Sequence, residues 1–575
     1  MSSAALTPGT RASKNSIEAR APKRKASPER ISATITLVVL FLLAIQALQG
    51  IGISPTAMLE SMDNAERFFA RVGGVTFAPL GDLIHLTALT VGLVLCGTLL
   101  AAAISVPVAI ISASNTTPGP AWRMAGRFVG VLTRAIPDVV LAMVFVLMFS
   151  LGALPGILAI GIHSIGMISK MFADAIEQVD EGPRLAIRAA GGTKTQEFVS
   201  GILPQVLPSW VATVLHRNDI NLRGSVILGY VGIIGLGREM SYAFKAMDYS
   251  LGMGYAIVIF ALCVLMEIVS SAVRSAMLGH APTGRGIGDG LVRRFGKKTA
   301  QATLADVVRF ANPQAAMHRP WNHARRRNAV WGAAAVLVVV GSVFVSEIQW
   351  RDFLTVWGKI PAVAVQFWPP SFGNYDYATM LEAMWKTVAI ALAATLLTLV
   401  ASVVIGSLAA RNVAPNGLVR SSSRLVLVII RGIPEIILAI VLIVITGLGG
   451  QAGTLALAIC GVGLLGKLIA DSFEEVNPGP ERALSATGAT RLQVFFGATF
   501  PQGVRSLIGH TFYMLDTNIR AATILGIVGG GGIGYYLLNA GQGSKYGVVT
   551  AIVLMILVTV LVVEGLAMWM RKVFK

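Results

Sequence analysis

The chain has 575 residues, of which 54% are hydrophobic and only 13% are charged, and its mean hydropathy is +0.70. Soluble domains carry about 25% charged residues, so the composition excludes a soluble protein and predicts an integral membrane protein. The net charge of +18 comes from the amino-terminal tail, a central linker and the carboxyl end, a distribution that is typical of positive-inside topology rather than of nucleic-acid binding.

In chain order, the tail at residues 1–31 is rich in Ser, Ala, Pro and basic residues, which predicts a disordered cytoplasmic segment. Apolar stretches long enough to cross a bilayer as helices follow, since about 20 residues span the hydrocarbon core. The first six lie at about 33–52, 85–111, 130–151, 153–176, 206–235 and 251–277. The loop at 53–82 is predicted to lie outside the membrane on the far side from the tail.

A basic cytoplasmic linker at 278–328 leads to six further stretches. They lie at about 330–349, 382–409, 427–449, 451–473, 503–532 and 547–570. An even number of spans in each set predicts that both sets have the same orientation and that both chain termini are cytoplasmic.

The second set repeats the first. RAIPD from Arg134 returns as RGIPE from Arg431, and 431 − 134 = 297. DINLRGSVILGYVGIIGLG from Asp219 returns 297 residues later as DTNIRAATILGIVGGGGIG from Asp516. The sequence thus predicts an all-α polytopic membrane protein of about 12 transmembrane helices in two tandem parallel repeats, related by a pseudo-two-fold axis along the membrane normal. The two units are predicted at 32–277 and 329–575.

Between the fourth and fifth spans lies a polar stretch, EGPRLAIRAAGGTKTQEFVSGILP from Glu181, and ERALSATGATRLQVFFGATFP from Glu481 repeats its pattern. The small residues before Gly191 favour a short helix, which is expected to end at Gly191 and Gly192. A second short helix is expected from about 195 to 203, where Pro204 breaks it or starts the next element. This geometry predicts a cytoplasmic knob for a partner to grip, and the alternative is an ordinary structured loop.

The stretch resembles the EAA loop of ABC-importer permeases, in which a Gly is followed thirteen positions later by a Pro. The family's leading Glu is replaced by Leu185 and Arg482. The ATPase-coupling residues that the resemblance implies are Ala186, Ala189, Gly191, Leu203 and Pro204 in the first unit, and Ala483, Ala486, Gly488, Phe500 and Pro501 in the second.

Both units also resemble permeases of the phosphonate importer family (PhnE-type), through RAIPD and RGIPE, the SK and GK dipeptides, and the DxNxR runs. The resemblance implies a type I ABC-importer (MetI-like) permease fold in the bacterial inner membrane, with phosphonate, phosphite or phosphate as the oxyanion substrate. It implies two copies of a cytosolic ABC ATPase, which bind the ATP and Mg, and an extracytoplasmic phosphonate-binding protein as partners. The chain itself is then expected to hold no cofactor and to be no enzyme.

Charged residues lie deep in the fifth span of each unit. Asp219 with Arg223, and Asp516 with Arg520, have the i, i+4 spacing that favours an ion pair on one helical face. One interpretation is a buried pair that holds helices in register. The other is that Arg223 and Arg520 face each other across the pseudo-axis and donate hydrogen bonds to a passing oxyanion. The nearby Asn221 and Asn518 are expected to bind a neighbouring helix.

Lys170 and Lys467, in the fourth spans, either extend to the lipid headgroups or line the inward exit of the substrate pathway. Arg134 and Arg431 are expected at the cytoplasmic start of the third spans, in a structural or headgroup role. The competing class is an ion-coupled secondary transporter in which Asp219 and Asp516 carry protons. A non-transporting membrane scaffold is a third possibility.

Two further motifs resemble nucleotide-binding sequences but do not fit them. GVGLLGKL, 461–468, lacks the Ser or Thr of a P-loop, and GGGGIG, 529–534, closes a membrane span, so it indicates close packing or local unwinding rather than nucleotide binding. The three cysteines and seven histidines show no paired spacing and predict no disulfide, metal or catalytic site.

Overall fold

The computed structural model describes residues 27–53, 55–278 and 323–574. Most of the predicted tail and linker, residues 1–26 and 279–322, therefore lies outside the described part of the chain. In the described parts of the tail and the linker, the first helix of each unit begins earlier than predicted. The first helix starts at Pro28, because the side chain of Ser27 caps it and the ring of Pro28 suits the first helical turn.

The described residues of each unit form ten helices, numbered so that helices ten apart correspond. In the first unit they are α1 Pro28–Gly50, α2 Pro55–Val72, α3 Leu80–Ser112, α4 Pro120–Ala135, α5 Asp138–Phe149, α6 Ala153–Glu177, α7 Glu181–Ala189, α8 Lys194–Val231, α9 Leu236–Lys245 and α10 Tyr249–Leu278. In the second they are α11 His323–Val345, α12 Trp350–Phe367, α13 Tyr377–Ala409, α14 Gly417–Gly432, α15 Glu435–Thr446, α16 Gly450–Glu474, α17 Pro478–Ala486, α18 Arg491–Gly530, α19 Ile533–Gln542 and α20 Tyr546–Val573.

Among the described residues, eight helices are long and apolar enough to cross a membrane, and three bent helix pairs bring the number to 11. The remaining predicted span, 330–349, coincides with a shorter apolar helix at Ala329–Val345. The all-helical fold with two repeats is confirmed, and the twelve predicted spans correspond to these twelve elements.

The third predicted span of each unit is bent rather than straight. α4 meets α5 at 84°, and α14 meets α15 at 83°. The cause is Pro137 and its counterpart Pro434, because a residue before proline is driven out of the helical region: Ile136 has φ −84° and ψ 122°. Arg134 and Arg431 therefore end α4 and α14 instead of starting a span at the membrane surface, which corrects that prediction.

Each unit is built around one close helix pair, α3 with α6 and α13 with α16. Small residues allow the backbones to approach. A Cβ atom placed on Gly97 would lie 3.0 Å from the carbonyl oxygen of Ile157, and one on Gly406 would lie 2.7 Å from that of Gly466. Such positions favour close packing of helices in a bilayer.

The two units exchange their first helices. α1 packs against α13 of the second unit, and α11 packs against α3 of the first. The next helices also cross over, since α2 contacts α15 and α12 contacts α5. α2 and α12 were not predicted as helices. α2 carries charged residues along its length, and α12 carries three in its first ten residues. Neither therefore contains an uninterrupted apolar stretch of the length that crosses a membrane.

The run of glycines at the end of α18 unwinds the helix. Gly529, Gly531 and Gly532 have φ of 111°, 81° and 80°, and α18 meets α19 at 64°. A Cβ on Gly526 would lie 2.6 Å from the carbonyl oxygen of Gly531. Local unwinding with close packing, as predicted for GGGGIG, is confirmed.

Candidate coupling surfaces and boundary charge cluster

The first knob, residues 181–204, contains a helix with two well-formed ends. Asp180 caps α7 by accepting a hydrogen bond from the backbone N–H of Gly182 at 2.9 Å. At the other end Gly191 has φ +78°, and the N–H of Gly192 donates to the carbonyl of Ile187 at 2.9 Å. This is a Schellman turn, for which glycine is the favoured residue. The prediction that Gly191 and Gly192 end the helix is confirmed.

The second knob, residues 478–501, has the same geometry. Asn477 caps α17, Gly488 has φ +82°, and the N–H of Ala489 donates to the carbonyl of Leu484 at 3.3 Å. After each turn a capping box starts the next helix, through Thr193 in the first knob and Thr490 in the second. The two knobs are therefore one structural element that occurs twice.

The helix that follows each turn does not end at its proline. The short helix predicted at 195–203 is the first part of α8, which continues through Pro204. The backbone widens into a π-helical segment at Glu197–Ile202, and at Phe495–Thr499 in α18. A wider turn accommodates a proline ring and its missing N–H, so Pro204 and Pro501 redirect the helix without breaking it.

Polar contacts join each knob to the loop after the central helix of its unit. In the first unit Arg184 donates to the carbonyl of Asn115 at 3.1 Å, and the Asn115 amide donates to the carbonyl of Ile176 at 2.7 Å. In the second unit the amide of Asn412 donates both to the carbonyl of Phe473 and to Glu481, at 2.8 Å each. Hydrogen bonds thus tie the first knob to the ends of α3 and α6, and the second knob to the ends of α13 and α16.

Both knobs expose apolar side chains. Leu185 and Val199 of the first knob are 51% and 50% exposed, and Leu492 and Phe496 of the second are 70% and 64% exposed. Ala186, Ala189, Ala483 and Ala486 are exposed beside them. Leu203 and Phe500 are half-buried and attach the knobs to the bundle, while Pro204 and Pro501 are exposed. Apolar surface that alternates with polar helix ends is typical of a protein-binding surface.

The predicted ion pairs of the fifth spans are present. Arg223 contacts Asp219 at 2.9 Å, and Arg520 contacts Asp516 at 2.6 Å. The two pairs are not equivalent, because Arg223 has further partners. It contacts Glu267 at 3.3 Å and donates to the backbone carbonyl of Arg431, in the other unit, at 2.6 Å.

A second polar contact crosses between the units. Arg134 pairs with Glu564 at 2.9 Å, a contact that favours the structural role over the headgroup role among the two predicted for Arg134. Glu564 is the counterpart of Glu267, since 564 − 267 = 297. Glu564 of the second unit therefore contacts an arginine of the first unit, whereas Glu267 of the first unit contacts Arg223 of its own unit.

Sequence reasoning missed other charged residues at this boundary. Asp138 and Glu435 begin α5 and α15, just after the bends, and interact electrostatically with each other; Glu435 also interacts with Arg223. Arg217 and His163 interact with Asp138 and with Arg520. We call Asp138, Arg217, Arg223, Glu435 and Arg520 the boundary cluster. Asp138 and Glu435 could have been predicted, because an acidic residue ends both RAIPD and RGIPE. Arg217 could not be found in this way, because the second unit has no arginine at the equivalent position.

The asparagines of the fifth spans face neighbouring helices. Asn221 donates to Thr98 and Asn518 donates to Thr395, each at 2.9 Å. This confirms their predicted role. Lys170 and Lys467 are exposed, and no hydrogen bond or ion pair among the described residues joins them to the boundary cluster.

The amino end of α1 lies on the side of the bundle that carries the knobs. The far end of α1 contacts the start of α16, where Gln451 donates to the carbonyl of Gly52 at 2.9 Å, and α16 ends at the second knob.

Comparison with known proteins gives two matches to one family, described as the binding-protein-dependent transport system inner membrane component. They cover residues 105–278 and 402–574, and 402 − 105 = 297.

The chain is 36% identical over 522 residues to the phosphate-import permease protein PhnE of Mycolicibacterium smegmatis, and this alignment covers 90% of each chain. It is 37% identical over 185 residues to the phosphite transport system permease protein PtxC of Stutzerimonas stutzeri, over 32% of this chain and 67% of that one. A solved structure of the inward-facing methionine ABC transporter MetNI overlaps 35% of this chain and 100% of that chain, with 21% identity and a TM-score of 0.32.

Proposed function

Because the chain belongs to the family of binding-protein-dependent transport system inner membrane components and carries two of its units, we propose that it forms the whole membrane pathway of an ATP-driven importer for a phosphorus oxyanion. It is a multi-pass inner-membrane transport subunit and not itself an enzyme. The relatives that transport phosphate and phosphite support phosphate, phosphite or a phosphonate as the substrate.

The observation that carries the proposal is the repeated knob. Two surfaces of the same geometry, each with exposed apolar residues, fit two copies of one cytosolic ABC ATPase. The residues that contact the ATPase are then those around Gly191 and Gly488, with Leu185 and Leu492 as apolar anchors. ATP and Mg bind in the ATPase, and its closure moves the knobs.

The contacts of the knobs explain how that motion reaches the pathway. Asn115 and Asn412 tie the knobs to α3, α6, α13 and α16, and α3 and α13 contact the first helix of the other unit. We place the first unit at 32–277 and the second at 329–575, with the knobs and both termini in the cytoplasm. An extracytoplasmic binding protein delivers the oxyanion to the opposite side.

An ion-coupled carrier that uses Asp219 and Asp516 finds less support. Each carboxylate already contacts an arginine of its own helix, and such a carrier has no use for two docking surfaces. The Asp219–Arg223 pair serves better as a helix and unit contact than as a proton site.

The test is purification of the protein from its native membrane in mild detergent, followed by mass spectrometry of what accompanies it. We expect an ATPase with a complete P-loop to accompany the wild type and to be lost from a variant in which both knobs are changed, Leu185→Glu and Val199→Glu with Leu492→Glu and Phe496→Glu, whose substituted side chains are exposed. The matched control changes Leu151 and Leu448 to Glu, equivalent residues that are 63% and 81% exposed at the opposite side. Loss of the ATPase from the control, or retention by the knob variant, contradicts the docking assignment.

A further inference from the structure

The arginines at the boundary between the units differ in how many of their donors are used. Arg223 contacts Asp219, Glu267 and the carbonyl of Arg431. Its Nε is buried without a partner. Both terminal nitrogens of Arg223 are thus engaged and its unpartnered Nε is buried, so Arg223 does not present a free pair of donors to a substrate, although it is one of the two arginines that the i, i+4 pattern singles out.

Arg217 is the opposite case. Its Nε donates to the hydroxyl of Ser164 at 3.0 Å. Within the described part of the chain, its two terminal nitrogens have no hydrogen bond and no ion pair. Its side chain is half-buried, so a fixed positive charge with two free donor groups is held inside the helix bundle.

The surroundings of Arg217 include both units. Asp138 of the first unit and Arg520 of the second act on it electrostatically, and Tyr513 of the second unit lies close enough to do so as well. His163 acts in the same group, and its Nδ1 is hydrogen-bonded to the carbonyl of Ile136 at 3.0 Å, which leaves Nε2 for another partner. Arg217 and Arg520 thus bring a guanidinium from each unit into one group, and the described residues give Arg217 no ion pair, so an anion between the units would be attracted by both.

The second unit shows that the fold does not require this arginine. The counterparts of Arg217 and Ser164 are Met514 and Gly461, since 514 − 217 = 297 and 461 − 164 = 297. Met514 is 5% exposed and packs against Gly461, where a Cβ atom would lie 2.9 Å from the Met514 methyl. A methionine therefore fills the same place between the same two helices. An arginine in a membrane-embedded bundle is costly and usually serves a function.

We propose that Arg217 is the oxyanion-binding residue of the pathway, and that it receives a tetrahedral phosphorus oxyanion between the two units, with Arg520 on the far side of the anion. The proposal rests on the proposed function. A guanidinium binds two oxygens of one oxyanion through parallel N–H groups, and the two free nitrogens of Arg217 provide that geometry. Arg223 has a positioning role, because its contacts hold α8 and α14 together beside the site.

The test uses the full chain, reconstituted with its ATPase and binding protein in proteoliposomes, and radiolabelled phosphate. Arg217→Met copies the residue of the sister unit, and Arg217→Gln keeps a donor near Ser164 without the charge. We expect both to lower phosphate uptake by about tenfold or more, the effect of losing a charged hydrogen bond. ATP hydrolysis stimulated by the binding protein should stay within about twofold of the wild type, so the number of ions moved per ATP falls.

Lys386→Met is the matched control, because it removes a cation that pairs with Glu382 on the exposed outside of α13, and its uptake should equal that of the wild type. Elution on size exclusion with bound ATPase confirms folding of each variant. If the wild type imports phosphate and Arg217→Met or the folded Arg217→Gln imports it equally well, the inference is wrong and the proposed function stands. If the wild type imports neither phosphate, phosphite nor a phosphonate, the proposed function fails, and the inference fails with it.

Discussion

Arg223 joins the two units through the backbone of Arg431. Its contacts with Asp219 and Glu267 also make it the shared partner of two carboxylates. Removing Arg223 leaves these carboxylates partly buried without a counter-charge. The free-energy cost of such an unpaired charge exceeds the net stabilisation that the intact interaction provides.

We therefore expect Arg223→Gln to lower the free energy of unfolding by about 2 kcal/mol. Arg520→Gln is the matched control, because Arg520 lies at the equivalent position and the one ion pair described for it is with Asp516 of its own helix. It should cost clearly less. The measurement is thermal unfolding of both variants in the same detergent, and an equal loss in the two would contradict the assignment of Arg223 as a unit contact.

At the same scale, the sequence predicted both helical ion pairs because their partners are four residues apart. It did not predict Glu267 or the carbonyl of Arg431 as partners of Arg223, since these come from other helices. Arg217 was missed for a different reason. The repeat drew attention to positions that both units share, and Arg217 has a methionine as its counterpart.

At the scale of elements, the exchange of first helices is the feature that binds the two halves of the chain. α11 packs on α3, and the side chain of Ser346, just after α11, lies near that of Cys96 in α3. α1 makes the corresponding contact with α13. A chain with this arrangement cannot be divided into two units that each keep their own helices.

The exchange predicts a disulfide between the halves. In Ser346→Cys the new thiol should bond to the native Cys96 on mild oxidation. After cleavage at a protease site placed within residues 279–322, the two halves should then run as one band on a non-reducing gel. Ser346→Cys combined with Cys96→Ala is the control and should give two bands. Two bands from the single variant would contradict the packing of α11 on α3.

Hydropathy predicted where the apolar helices lie, because it measures composition along the chain. It could not reveal that α1 belongs beside α13, since the partner of a helix is not encoded in its own mean hydropathy. The bends at Pro137 and Pro434 were open to prediction from the rule for residues before proline. Predicting the amphipathic helices α2 and α12 would have required knowing which surfaces they cover. α2 contacts α15, and α12 contacts α5.

At the scale of the whole molecule, the tandem repeat predicts the architecture, because a constant offset between equivalent motifs requires two copies of one membrane unit. Equivalent knobs lie on one side of the bundle, and polar contacts lead from them to the helices that line the unit boundary. The boundary itself is asymmetric, with Ser164 and Arg217 in one unit against Gly461 and Met514 in the other. A fused chain allows this, because its two units can change independently, whereas two copies of one subunit cannot.

The function proposed for this chain requires that ATP hydrolysis by a partner drives an oxyanion through it. The most direct test is uptake of radiolabelled phosphate, phosphite and a phosphonate into proteoliposomes that contain the chain, the co-purified ATPase and the binding protein. We predict that uptake of at least one of them requires ATP and both partners and continues when an ionophore collapses the proton gradient. Uptake by the purified chain alone, driven by a proton gradient without ATP, would contradict the account.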